Sequence, residues 1–296
     1  MDGWRPVLAV AVGTLLLAGC TSEPNNEASG KTKGKVSPSV SPSASSSAAP
    51  ENEPYTLAED RAPKSRAEAV AFVRGLAVRP DDFGIGYRKR EPYESDPATW
   101  AVLHKDCLWE REALPKTVLS SLTRAFELPE KGGKGPVYLS LTVTVHEDDL
   151  AARRDMAGAQ ESALRCPEQQ LNGTDVVRDL YSRVDAFADA RHAISEDDLA
   201  ESGQWTGDGT SKAHPFDWYK FRVGPVTVAA TARHGAGRSA EEDSTITTDM
   251  VKGLSYVAAE IDRVGKAGGT GGTDEPADTA AGKAAGTPSE TEGATR

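Results

Sequence analysis

The residues able to build a core are confined to one stretch of the chain. Nearly every Trp, Phe, Tyr, Ile and Leu lies between Tyr55 and Val264, and the two ends are too polar and repetitive to offset the entropy of ordering. The 296 residues therefore divide into a leader (1–19), a Ser/Pro-rich tether (20–64), one globular domain (65–266) and a Gly/Ala/Thr-rich tail (267–296). The formal charge of −11, with 34 Lys and Arg against 45 Asp and Glu, excludes a nucleic-acid binder, which needs clustered cations to neutralise phosphates.

Val7 to Leu17 is an apolar run of export-signal length, short of the roughly 20 residues that a spanning helix requires. It ends in Leu17-Ala18-Gly19-Cys20, which resembles the bacterial lipobox. That resemblance implies that Cys20 receives a diacylglyceryl group and becomes the first residue of the mature chain, on the outer face of the cell membrane. Two acyl chains, at about 0.8 kcal/mol per buried methylene, meet the two-signal condition for lasting attachment. An ordinary cleaved signal with a coincidental cysteine is the alternative. The tether beyond it, centred on Ser37-Pro38-Ser39-Val40-Ser41-Pro42-Ser43, would span roughly 35 to 40 Å as a flexible coil.

With Cys20 lipidated, an exported chain is left with Cys107 and Cys166, for which a disulfide is the default reading and two buried thiols the alternative. Closing so long a loop would restrict the unfolded chain by roughly 4 kcal/mol. Neither cysteine has a CxxC partner, and Lys105-Asp106-Cys107 and Cys166-Pro167-Glu168 contain no His, so no local zinc set exists.

The capping-box form Ser65-Arg66-Ala67-Glu68 opens an amphipathic helix with Val70, Val73 and Leu76 on one face. Asp81 to Arg111 mixes Gly, Pro and aromatic residues and predicts mostly loop, with a short element at Trp100 to Cys107. Val118 to Leu128 and Val137 to His146 predict a hairpin turned by Gly132-Gly133-Lys134-Gly135; the second strand alternates cleanly between apolar and polar positions. Asp148 to Arg165 switches to helical spacing. Strands follow at Val176 to Phe187 and around Trp205, then a second hairpin, Trp218 to Val223 and Val226 to Ala232, about Gly224-Pro225. A last helix starts at Ser239-Ala240-Glu241-Glu242 and carries Ile246, Met250, Leu254, Val257, Ile261 and Val264 on one face. This order predicts an α+β domain, a mainly antiparallel sheet with helices packed on one face.

No nucleophile elbow, zinc-protease motif or P-loop is present, so no catalytic residue, metal ligand or cofactor is assigned. His104, His146, His192, His214 and His234 are scattered singly and read as surface or packing residues. Glu196-Asp197-Asp198, with Glu201, lacks the order of a calcium loop and reads as a solvated turn. Trp109, Trp205 and Trp218 carry an apolar body and a polar tip suited to a ligand groove; core packing is the alternative for all three.

The succession of strand, helix, Arg165-Cys166-Pro167, further strands, Phe221-Arg222-Val223-Gly224, Val226-Thr227-Val228 and a terminal helix resembles actinobacterial sensor-type lipoproteins. These are similar to the extracytoplasmic sensor domain of membrane Ser/Thr kinases, although those domains carry two disulfides and this chain has cysteines for one. The resemblance implies a non-enzymatic, sensor-like or ligand-binding module with a cleft beside the sheet, taking a small molecule or an envelope protein. A structural or interaction lipoprotein is the alternative from another class, and a wall hydrolase the third.

Overall fold

The computed structural model describes residues 54–183, 195, 197–207 and 212–267. The leader, Cys20, most of the tether, the tail, the far end of the strand expected to reach Phe187, His192 and Glu196 lie outside the described residues. Ten strands and three α-helices are formed among those described: β1 (Arg88–Glu94), β2 (Thr99–Leu103), β3 (Trp109–Ala113), β4 (Val118–Leu128), β5 (Val137–His146), α1 (Arg66–Gly75), α2 (Asp149–Arg165), β6 (Gln169–Gln170), β7 (Val176–Arg183), β8 (Asp197–Thr206), β9 (His214–Val223), β10 (Val226–Arg233) and α3 (Ala240–Ala267). Eight strands make one antiparallel sheet in the order β1-β4-β5-β10-β9-β8-β7-β6, and β2 and β3 pair as a separate ribbon. The fold is α+β.

Each helix starts where a side chain accepts the first orphan amides. Ser65 Oγ accepts from Glu68 N at 3.3 Å while the Glu68 carboxylate accepts from Ser65 N at 3.0 Å; Ser239 and Glu242 repeat the exchange at the head of α3. Asp148 caps α2 by accepting from Ala151 N at 2.7 Å. In the β4–β5 hairpin, Gly132 and Gly133 take the positive φ of 62° and 78° that the turn demands.

The two faces of the sheet are covered differently. Leu122 and Phe126 of β4, Leu139, Leu141, Val143 and Val145 of β5, and Val226, Val228, Ala230 and Ala232 of β10 point into the main core. There they meet Ala69 and Val73 of α1 and Ile246, Met250, Leu254, Val257 and Ile261 of α3. Phe83 lies so close to α3 that a Cβ added to Gly253 would sit 2.3 Å from its ring. Helix α2 lies on the opposite face, where Ala159 and Ala163 join Val177, Leu180, Trp205, Phe216 and Trp218 in a smaller core. The helices are thus divided between both faces of the sheet.

Five features differ from the sequence reading. The helices, expected on one face, cover both, because alternate residues of β5 and β10 turn toward α1 and α3 on one side and toward α2 on the other. Asp81 to Arg111, expected to be mostly loop, supplies three strands. Their stability comes from partners distant in sequence: β1 pairs with the edge of β4, and Arg111 of β3 donates to the Thr99 carbonyl at 2.7 Å and to Thr123 Oγ1 on β4 at 3.3 Å. The short piece around Trp205 is a ten-residue strand, because it pairs with β9 along its length. Asp197, read as part of a solvated turn, opens that strand, and Arg222 Nε donates to its carboxylate at 2.6 Å. Leu57 and Ala62, from the segment ascribed to the tether, are buried in the main core. Gly224, at φ 55°, lets Leu57 in, since a Cβ there would lie 2.0 Å from the Leu57 carbonyl oxygen.

Candidate functional site

The second face of the sheet is only partly filled. Helix α2 turns a stripe of small residues toward it, Ala151, Gly158, Ala159 and Ser162, interrupted by Asp155. A Cβ added to Gly158 would meet nothing within 4 Å. The opposing strands answer with small side chains, all but one of them hydroxyls: Ser121 on β4, Ser140, Thr142 and Thr144 on β5, and Thr227, Ala229 and Thr231 on β10. Small groups on both sides leave a cleft of about 640 Å³, a small-molecule volume, closed along its third side by the β2–β3 ribbon. Ser140, Thr142, Ala229 and Thr231 remain partly exposed although they sit in the middle of a covered sheet.

Several fastenings hold the ribbon in place. The disulfide Cys107–Cys166, with Cα atoms 5.6 Å apart, ties it to the C-terminal end of α2. Arg165, one residue earlier, donates to the His104 carbonyl at 3.1 Å and the Leu103 carbonyl at 3.4 Å. Trp109 Nε1 donates to Gln169 Oε1 at 2.7 Å, and Gln169 Nε2 to the Cys166 carbonyl at 3.0 Å, so the indole joins the same knot.

Two of the three tryptophans singled out from sequence line this cleft. Trp109 and Trp218 meet edge to face with ring centres 6.2 Å apart at an interplanar angle of 88°. Trp100, not singled out, joins them from β2, with Phe216 behind. Trp205 stands apart from the cleft lining: its ring is buried in the smaller core, and its Nε1 donates to the His234 carbonyl at 2.9 Å.

A charged knot lines one end of the cleft. Asp155 Oδ2 lies 2.8 Å from Lys220 Nζ, 3.3 Å from His146 Nε2, and accepts from Thr227 Oγ1 at 2.8 Å. Burial pushes the Asp155 carboxyl upward, but the Lys220 ammonium and the His146 contact together outweigh it and hold the group well below the usual carboxylate range. His146, read from sequence as an isolated histidine, is buried here. The cross-strand row Ser140, Thr231, Trp218 continues to Glu201, which is fully buried. One Glu201 oxygen accepts from Ser182 at 3.2 Å and the other has no hydrogen-bond partner among the described residues; burial raises its pKa to about 7 against the weaker pull of Ser182 and Lys220.

Sequence reasoning missed Asp155, Lys220, Trp100 and the hydroxyl floor. The available signal was the polar register of β5, Tyr138, Ser140, Thr142, Thr144 and His146, on a strand that a domain of this size places centrally and covers on both faces. Asp155 and Lys220 meet only through the tertiary fold. A second polar cluster occupies the other face: His234 is fully buried with Nδ1 2.8 Å from Asp243 Oδ1 and Nε2 3.2 Å from Asp217 Oδ2, pinning the head of α3 to β9. Among the described residues no group of three or more His, Cys, Asp or Glu is placed to hold a metal ion, and no helix is long and apolar enough to cross a membrane.

No family model and no curated protein matches the chain. Among solved structures, an uncharacterized protein from Mycobacterium smegmatis is similar over 69% of this chain and 100% of its own, at 10% identity and a TM-score of 0.31. A likeness at that level carries no argument about fold or function.

Proposed function

We propose that the chain is an extracytoplasmic lipoprotein, anchored through Cys20, whose domain is a non-enzymatic, sensor-like module that binds a small molecule between α2, the β2–β3 ribbon and the sheet. The observation that carries this reading is the hollow itself: a covered central sheet face left about 640 Å³ short of filled, floored with hydroxyls and walled with aromatic rings. The anchor half of the proposal rests on Leu17-Ala18-Gly19-Cys20 alone. Against a catalytic role for the charged knot stands its pairing, since Asp155 and Lys220 are engaged with each other.

Native mass spectrometry of the protein purified from its own host tests the binding reading, with a co-purifying small molecule as the expected result. Tryptophan variants then locate it. Trp100→Ala should weaken binding with little loss of stability, because the ring is half-exposed at the cleft, whereas Trp205→Ala should cost roughly 3 to 5 kcal/mol of stability and spare affinity. Equal effects of both variants on binding, or no bound molecule and no saturable ligand, would remove the cleft from consideration.

A further inference from the structure

The chemistry of the cleft narrows its ligand. Its interior offers no spare charge. Lys220 is held by Asp155, and the remaining charges, Arg154, Glu161 and Arg165, stand exposed at the rim, Arg165 donating to the neutral Leu103 and His104 carbonyls. A charged group seated on the floor, away from that rim, would be left uncompensated once water is excluded. An alkyl chain fits no better. It would cover the Ser140 and Thr231 hydroxyls, which are half-exposed on the floor and bond to no other group among the described residues, and would strip them of water without replacement. The neighbouring hydroxyls are already coupled: Ser121 with Thr144 at 2.9 Å and Thr123 with Thr142 at 2.8 Å. They fix a pattern in which Ser140 and Thr231, directly opposite each other across β5 and β10, are the pair left for a ligand. Trp218 sits next in the same cross-strand row, and Trp100 faces in from the ribbon.

An uncharged ligand with hydroxyls along its edges and apolar C–H groups on its faces satisfies both surfaces at once. Resting on the binding role proposed above, we infer that the cleft is a saccharide site, taking a neutral sugar with its hydroxyl edge on Ser140 and Thr231 and a ring face against indole. The sugar comes either from a free glycan or from the head of a glycolipid, and both present the same chemistry to the floor.

The full chain with its disulfide intact is titrated, by indole fluorescence and saturation-transfer NMR, with neutral disaccharides of gluco, manno and galacto configuration. Dodecyl glycosides of the same sugars, a uronic-acid disaccharide and dodecanol form the comparison arms. Saturable binding of a neutral sugar is expected, weakened tenfold or more by Ser140→Ala with Thr231→Val while the melting temperature stays put; Ser140→Ala alone should show part of the loss. Equal affinity for sugar and dodecyl glycoside assigns a glycan, and tighter glycoside binding assigns a glycolipid head. Dodecanol or the uronic acid binding as tightly as any neutral sugar, unaffected by the two substitutions, overturns the saccharide while leaving a binding cleft. Absence of neutral-sugar binding also overturns it, and native mass spectrometry then reports separately on whether the cleft binds anything.

Discussion

Glu201 shows how much a single side chain can say about working conditions. Its carboxyl is fully buried beside Trp218, and burial raises its folded-state pKa to about 7 while the unfolded chain keeps an ordinary glutamate. Ionisation is therefore easier in the unfolded state, so stability is full near pH 4 and is lost as pH rises toward 7. Glu201→Gln removes the titration. The variant should exceed the parent by about 1–3 kcal/mol in urea unfolding at pH 8, with the gain gone near pH 4.5; an equal difference at both pH values would mean that the carboxylate is not the cause. Asp155 has the opposite sign. The Lys220 and His146 contacts, outweighing burial, hold it ionised in the fold, so its contribution is present above the ordinary aspartate range and lost only in strong acid.

At the scale of elements, the β2–β3 ribbon has little hold of its own and depends on what it is tied to. Reducing Cys107–Cys166, which encloses 59 residues of separation, should lower unfolding free energy by roughly 4 kcal/mol while the far-ultraviolet spectrum keeps its strand and helix signal. The main core, built from α1, α3 and the other face of the sheet, does not include the bridge. Unchanged midpoints with and without reductant would contradict this. Helix α3 makes a different demand: Gly253→Ala should improve helix propensity yet destabilise by about 1–3 kcal/mol net, because the added methyl meets the Phe83 ring, and thermal unfolding decides the sign. These contrasts explain what could be seen in advance. The β4–β5 hairpin, the three capped helices and the second hairpin were legible because periodicity and caps are local signals, and the bounds Val118–Leu128 and Val137–His146 match the strands formed. The Cys107–Cys166 bridge was legible from cysteine count, but the ribbon it holds was not, since Arg111 and Arg165 act across sequence distance, and neither was the Asp155–Lys220–His146 knot, whose three members sit on separate elements. Trp109 and Trp218 were recognisable by residue type alone, but the same rule also picked out Trp205, which the fold spends on packing.

For the whole molecule, the anchor proposed at Cys20 would place the domain at the end of a long polar tether, outside the membrane. Cys20→Ala should move the protein from the membrane fraction to the medium and abolish its labelling by metabolic fatty acid; an unlabelled parent protein would end the lipoprotein reading. For a cleft that binds as proposed, the route to a new ligand follows from the sheet. In β5 and β10, neighbouring residues along one strand serve separate purposes: Leu139, Leu141, Val228 and Ala230 hold the main core, while Ser140, Thr142, Ala229 and Thr231 floor the cleft. Substitutions at the second set leave the first untouched, so descendants of this chain can drift from one bound molecule to another without crossing a valley of unfolded intermediates. Under the proposed role, binding preference is the trait free to wander, and the scaffold is the one held still.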